Sequence, residues 1–434
     1  MNRWHLLKDR LDTRPLHNLL LRSCNILVRY GVTQQRFGRA LDNFLRLLDE
    51  YGITPTIPVT ASVLNRHPVL FKKIQECGVE LAIHGYRHVD YTQVSIEDVS
   101  RELELASEIF DKQGIKYSGH RFPYLRQDSE RIELLEQAGF QWDSSEVLSW
   151  NSLDQRTFSK RRWTTYQKIL KTYKVINADV TFALPSIRKG LVEIPVSMPD
   201  DDILIERLGL KDDEMMKMTW ESMARRVRER GELLVLDVHP ERFKWYRNSL
   251  EKTLQLVKVW GDVWTASLAE IARWWREREK FHFQVDEISK NRYRITAICT
   301  ERGTVLQKNG LPRRDEKKFL NATVVDARRW EIESPTKPVI GIEPETPSEV
   351  IHFLKMEGFA YELTEKLEDC SFVLKHRGNF DENKKRQILG LIDRSRLPII
   401  RFWRWPEQAR YCLAVTGDVD CVDLWDFGER FYGK

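Results

Sequence analysis

Three apolar runs in this chain stop at residues that carry chemistry, and no other feature constrains the fold as much. Val79-Glu-Leu-Ala-Ile83 ends in His84, Leu233-Leu-Val-Leu-Asp-Val238 in His239, and Tyr411-Cys-Leu-Ala-Val-Thr416 leads to Asp418 and Asp420. Short apolar runs bounded by turn residues read as buried strands. Gly85 breaks the first run, so His84 and His88 flank a turn at the strand's C-terminal end. Parallel α/β folds place their ligands there. Two imidazoles across a tight loop can converge on one cation, zinc or another divalent first-row ion. The competing reading leaves them as two unrelated loop histidines.

The intervening sequence supplies the helices such a fold needs. Residues 33–51 put Phe37, Leu41, Phe44 and Leu48 on one helical face, with Thr33 as the expected cap and Gly52 as the stop. Thr54-Pro-Thr-Ile-Pro-Val-Thr60 reads as a short strand, although its two prolines argue against a central position. A helix over 71–77 leads into the His84 strand. Ser95 and Asp98 open another with a capping box; Ile96, Val99, Leu103, Ala106 and Phe110 form its buried stripe. Strands at 116–122, 140–144, 191–196 and 233–238, with helices at 129–138, 219–230 and 267–277, repeat the unit. Such alternation means βαβ units and a parallel sheet, and about seven strands before residue 280 favour a barrel. Residues 156–174 carry Lys and Arg without an acid, interleaved with Trp163, Tyr166 and Tyr173. They form either a solvated helix with its aromatics inward or a rim for an anionic or glycan substrate.

From 279 the texture changes. Phe281, Phe283 and Val285 alternate, as do Tyr293, Ile295 and Ala297, punctuated by Gly303 and Gly310, in the manner of an antiparallel β module. Pro335, Pro338, Pro344 and Pro347 mark a linker, followed by helices at 348–358 and 383–393 and a strand at 397–402. After 411–416 comes a final amphipathic helix with Val422, Trp425 and Phe431. The expected division is 1–278, most of a barrel; 279–345, a small antiparallel β module; 346–404, a small α/β segment; and 405–434, a strand and helix that complete the barrel.

Composition narrows the class. At 434 residues, 41% apolar and with 14 tryptophans, the chain reads as globular. A net charge of +5 is mild, and without a zinc finger, helix-turn-helix or RNA-binding signature it does not indicate nucleic acid. Six scattered cysteines, with no C-x-x-C spacing, read as reduced core residues, and the first ten residues hold no apolar signal core. A cytoplasmic protein without a membrane span is expected. No dinucleotide or phosphate-loop fingerprint is present. The oligomeric state is not legible.

His120-Arg-Phe-Pro-Tyr124 adds a turn at another strand end, Pro123 forcing extended backbone before it. Joined to His84/His88, the Leu-Asp-Val-His239 strand end and the Asp418/Asp420 pair, it resembles the polysaccharide deacetylases, carbohydrate esterase family four. The likeness spans roughly residues 25–275 plus 411–427. It implies a deacetylase-type distorted TIM barrel, (β/α)7–8, with the β module and the α/β segment inserted. By the same resemblance His84, His88 and Asp420 are ligands of a divalent metal, expected to be Zn²⁺. Asp418 is the catalytic base, Arg121 its charge partner, His239 the general acid, and the Tyr124 N–H an oxyanion donor. Asp237, two residues before His239 on the same strand face, is expected to hold that imidazole protonated. His120, Asp90, Asp200 and Asp201 line the region without an assigned role.

Two departures from the family pattern stand out. Gly85 replaces the Ser or Thr that normally follows the first histidine, removing a hydroxyl that braces the loop. An H-G-Y-R sequence is similar to allantoinase-like relatives, which lack the second histidine present here as His88. The aspartate motif normally comes first, whereas here it comes last; Ile26-Leu-Val-Arg-Tyr-Gly31 occupies its usual place without a carboxylate. The fold is therefore read as circularly permuted, with 411–416 as the first barrel strand. The resemblance implies metal-dependent removal of an N-acetyl or O-acetyl group from a carbohydrate. The alternatives are hydrolysis of a small amide or ureide, and a non-catalytic glycan-binding protein. In the structural alternatives Arg121 is an ion-pair residue, His239 a core histidine, and Asp418 and Asp420 a helix cap with a first-turn acid.

Overall fold

The computed structural model describes residues 29–211, 214–309, 318–375 and 378–432. The expectation drawn from the first ten residues, Cys24, residues 26–28 and the Gly310 turn lie outside them, as does the side chain of Phe431. The chain is a mixed α/β protein built on a curled sheet of short, mostly parallel strands. Thr56–Val59 pairs with Glu80–Ile83, and the sheet continues through Gly119–His120 and Trp142–Asp143 to Leu191–Glu193. On its other side Thr56–Val59 meets the C-terminal strand Tyr411–Gly417 at Thr56↔Thr416. That strand runs in register along the whole of Leu233–Val238. Three residues beyond Glu193, Val196 opens the strand Val196–Met198, which pairs with Leu233–Val238 at Leu236↔Ser197. Among the described residues no pairing joins Leu191–Glu193 to Val196–Met198, so the sheet curls without closing into the expected barrel.

Burial explains the order. Every residue of Leu233–Val238 and Tyr411–Gly417 is buried, as parallel strands covered on both faces require. Leu234, Leu236, Leu413 and Val415 pack with Phe37, Leu41 and Phe44 of the helix Gln35–Glu50. Leu233, Val235, Cys412 and Ala414 pack on the opposite face with Trp274 and Trp275 of the helix Leu268–Arg278. Continuing the two-residue period puts Asp237 and Thr416 on this second row, next to the strand ends.

Several expected elements differ in extent. The strand expected over 116–122 is only Gly119–His120, and that over 140–144 only Trp142–Asp143. Gly119 lies directly against the Trp142 indole, and a Cβ there would stand 1.9 Å from the ring. Thr56–Val59 is central despite Pro58, whose carbonyl accepts from the Val419 N–H at 2.9 Å. Gln34, not Thr33, precedes the helix Gln35–Glu50. Ser95 caps Ile96–Lys112, accepting from the Asp98 N–H at 3.2 Å, but the Asp98 carboxylate accepts from the Ser95 hydroxyl at 2.8 Å and the reciprocal half of the expected capping box is not formed. Lys160–Thr172 turns Tyr166 and Ile169 inward and its Lys and Arg outward, which is the solvated-helix reading. The proline-marked linker instead contains Lys337–Ile342, the central strand of a parallel sheet with Tyr361–Leu363 and Cys370–Leu374. Pro338 sits where the register shifts, so its missing N–H interrupts little of the ladder.

Two antiparallel sheets complete the appended part. One joins His282–Ser289, Arg292–Ile298 and Arg329–Glu333; the other joins Lys318–Phe319, Ala322–Val324, Val305–Lys308 and Ile399–Phe402. Tryptophans tie them to the curled sheet. Trp274 Nε1 donates to the Arg404 carbonyl at 2.8 Å and Trp405 Nε1 to that of Gly231 at 2.9 Å. The final helix, Leu424–Tyr432, departs from the expected stripe: Trp425 is 73% exposed, and buried Val422 precedes the helix. No described helix is long and apolar enough to cross a membrane, and the five described cysteines are free thiols.

Candidate active site

The ends of the central strands bring the sequence-predicted residues together. His84 leaves Glu80–Ile83 with its N–H on the Val59 carbonyl at 2.9 Å. Its Nδ1 lies 2.8 Å from the Arg121 carbonyl oxygen, so Nδ1–H donates and Nε2 keeps its lone pair. That Nε2 is 3.4 Å from Asp420 Oδ1 and 3.8 Å from Asp418 Oδ2. His88 Nε2 is 3.3 Å from the same Asp420 oxygen. One donor atom from each of His84, His88 and Asp420 falls within 4.8 Å of the others. Burial disfavours a charged His84, yet Asp418 and Asp420 outweigh it and raise its pKa. Positive charge belongs at this point, and two imidazoles with a carboxylate are the donor set of a catalytic zinc. The residues therefore fit a divalent ion.

The loop between the two histidines depends on Gly85. Its φ of +73° is left-handed, and a Cβ there would stand 2.6 Å from the Tyr91 hydroxyl. That hydroxyl accepts from the Tyr86 N–H at 2.9 Å. Tyr91 thus provides a hydroxyl brace, the function attributed to the Ser or Thr that Gly85 replaces.

Arg121 is fully buried and its guanidinium is densely bonded. Nη1 donates to Asp418 Oδ1 at 2.7 Å, Asp237 Oδ1 at 2.6 Å and the Thr416 hydroxyl at 2.8 Å. Nε donates to the Ser144 carbonyl and Nη2 to its hydroxyl, both at 2.9 Å. Burial and the charge of Asp418 push the Asp237 carboxyl up to about 7, against the pull of Arg121. Tyr124 takes the left-handed backbone, φ 60° and ψ 13°, in the turn after Pro123, and its ring lies edge-on to His88 at 4.3 Å.

His239 follows Val238, whose carbonyl accepts from the Asp418 N–H at 3.0 Å. The partner of its ring is not Asp237, which belongs to Arg121 and Thr416. It is Asp201, whose Oδ1 is 2.7 Å from His239 Nδ1. Burial and Arg242 oppose the imidazolium, but Asp201, with Glu241 behind it, lifts its pKa well above the ordinary value. Asp201 follows Val196–Met198 by three residues, so the strand-end rule that found the other residues points to it as well.

A second His/Asp group, His67, Asp423 and Asp426, lies at the final helix. Asp423 caps that helix, accepting from the N–H groups of Trp425 at 2.9 Å and Asp426 at 3.0 Å. Asp426 pairs with Arg66 and accepts from the Val422 N–H at 2.7 Å. These bonds give the group a structural task, and the helix cap that the structural alternative assigned to Asp418 and Asp420 is made by Asp423.

Residues 38–142 match the family model "Polysaccharide deacetylase". The peptidoglycan deacetylase-like protein FGM2 of Gibberella zeae is 30% identical over 130 residues, 29% of this chain and 37% of that protein. The chain thus spans little more than a third of the length of this relative. Among solved structures, a "probable Polysaccharide deacetylase" from Pseudomonas aeruginosa PAO1 aligns with TM-score 0.43 and 19% identity over 56% of this chain and 75% of that one. Puue allantoinase aligns with TM-score 0.43 and 19% identity over 55% and 74%. The stretch matched by the family model holds His84, His88 and the Arg121–Tyr124 turn; Asp201, His239, Asp418 and Asp420 lie outside it.

Proposed function

We propose that this protein removes an N-acetyl (or O-acetyl) group from a carbohydrate in a metal-dependent hydrolysis that releases acetate. The observation that carries the reading is the convergence of His84, His88 and Asp420, with Asp418 held beside them by Arg121. A divalent ion at the three donors would supply Lewis acidity and lower the pKa of a water towards ~7. Asp418 takes the proton from the attacking water, and Arg121 fixes the orientation of that carboxylate. The Tyr124 N–H, set by its left-handed backbone, donates to the developing oxyanion. His239, kept protonated by Asp201, delivers a proton to the leaving nitrogen or oxygen.

The same reading takes 1–278 and 405–434 as a deacetylase barrel in permuted order, with 279–345 and 346–404 inserted. Its support is the C-terminal strand beside Thr56–Val59, and the contact of the chain's two end regions. Gly31 bridges Asp423, and its carbonyl accepts from the Leu424 N–H at 3.1 Å. Free cysteines support a cytoplasmic setting, in which a nucleotide- or lipid-linked sugar precursor is the expected substrate class. The test is acetate release from chito-oligosaccharides by the zinc-loaded protein. Asp418→Asn is expected to lower turnover by about 10²–10⁴ while metal stays bound. Undiminished acetate release by that variant would exclude Asp418 as the base.

A further inference from the structure

A cavity of about 460 Å³ opens where the curled sheet meets the appended sheets. Glu232, at the start of Leu233–Val238, lines it, whereas His239 follows the other end of that strand. Six residues at ~3.3 Å each separate the two, so the cavity is about 20 Å from the candidate active site. Its wall carries five cations, Arg230, Lys308, Arg386, Arg401 and Arg404, against three carboxylates, Glu229, Glu232 and Asp393. Burial lifts the Glu232 carboxyl above its ordinary range while Arg404, Arg386 and Arg230 pull it down, and Arg386 pairs with it at 3.3 Å.

The guanidiniums are fixed in place. Arg386 stacks on Phe182 at 4.3 Å and donates to the Val180 and Thr181 carbonyls at 2.6 and 2.7 Å. Arg401 stacks on Phe359 at 4.5 Å. Arg401 and Arg404 share Glu357, at 2.9 Å from the first and 2.7 Å from the second. Arg404 is 3% exposed, and the Nε atoms of both arginines are buried without a hydrogen-bond partner. Arg278, 5% exposed, approaches the same Glu357, and its Nη2 is also unpartnered. Stitching two parts of a molecule together needs no excess of cations and no open space between them. A buried excess of positive charge beside an open cavity is the condition an anion relieves.

We propose that this cavity binds a phosphate-type dianion, free or carried on a small organic body. The proposal does not rest on the deacetylase reading. It is tested by calorimetric titration of the metal-loaded protein at low ionic strength with inorganic phosphate, pyrophosphate and glucose 6-phosphate. Saturable binding at one site per chain is expected, weakened at least about tenfold by Lys308→Gln/Arg386→Gln and unchanged by exposed Lys72→Gln. It should persist in His84→Ala/His88→Ala, which separates this site from the metal centre. Tighter binding of glucose 6-phosphate would assign the cavity to a phosphorylated metabolite, and equal binding to the free anion. Absence of saturable binding of all three to the wild-type protein would overturn the proposal, whether or not the variants fold. So would binding that survives Lys308→Gln/Arg386→Gln undiminished, or that disappears with the two histidines.

Discussion

His239 and Asp201 show how one carboxylate sets what an imidazole can do. An acid must carry its proton at the working pH, and a free imidazole has lost most of it by pH 7.5. With its pKa raised by Asp201, His239 keeps the proton, so activity should persist above the ordinary histidine range and fall only when that raised pKa is passed. Asp201→Asn removes the charge and keeps the shape. The alkaline limb of kcat/KM should then move down towards pH ~6.5, with activity at pH 8 falling much more than activity at pH 6. An unchanged alkaline limb would contradict the pairing. Gly85 is the other decisive residue. Gly85→Ala must meet both a left-handed φ and the Tyr91 hydroxyl, so a loss of about 1–3 kcal/mol in urea unfolding is expected. The metal-centre candidates and Arg121 were legible because each stands at or just beyond a strand end. Asp201 follows the same rule, but its strand is three residues long and comes after a long excursion. Tyr91 had no sequence signal, because its hydroxyl reaches the Gly85 turn only through the folded loop.

At the level of elements, Tyr411–Gly417 holds the sheet together. It pairs with Leu233–Val238, Val263–Thr265 and Thr56–Val59, so its loss would bare several strand edges at once. Removal of 411–432 should abolish cooperative unfolding as well as metal binding. Leu413→Ala, at a fully buried position, should cost about 2–5 kcal/mol with the fold retained. Equilibrium denaturation monitored by tryptophan fluorescence distinguishes the two outcomes. Long uniform runs such as 233–238 and 411–416 were readable because burial on both faces leaves no polar alternation. Gly119–His120 and Trp142–Asp143 were overextended in the sequence reading, since their flanks are apolar but leave the ladder. Lys337–Ile342 was masked by prolines that mostly lie outside the strand itself.

Over the whole molecule, the arrangement asks whether chain order matters to the site. Gly31 already touches Asp423 and Leu424, so the C-terminal strand should work equally well from the other end of the chain. Moving 409–432 ahead of residue 1, with 1–28 as the connection, should preserve cooperative folding and the metal centre. Loss of both would count against the permuted reading. The division between curled sheet and appended sheets was only partly readable. Its contacts are made by scattered residues, Trp274, Trp403, Trp405 and the arginines around Glu357, that share no spacing. The most direct test of the central claim is elemental analysis of the purified protein. One divalent ion per chain is expected, lost in both His84→Ala/His88→Ala and Asp420→Asn and retained in His67→Ala. A stoichiometric ion that survives the double histidine substitution would show that His84, His88 and Asp420 do not form the metal centre.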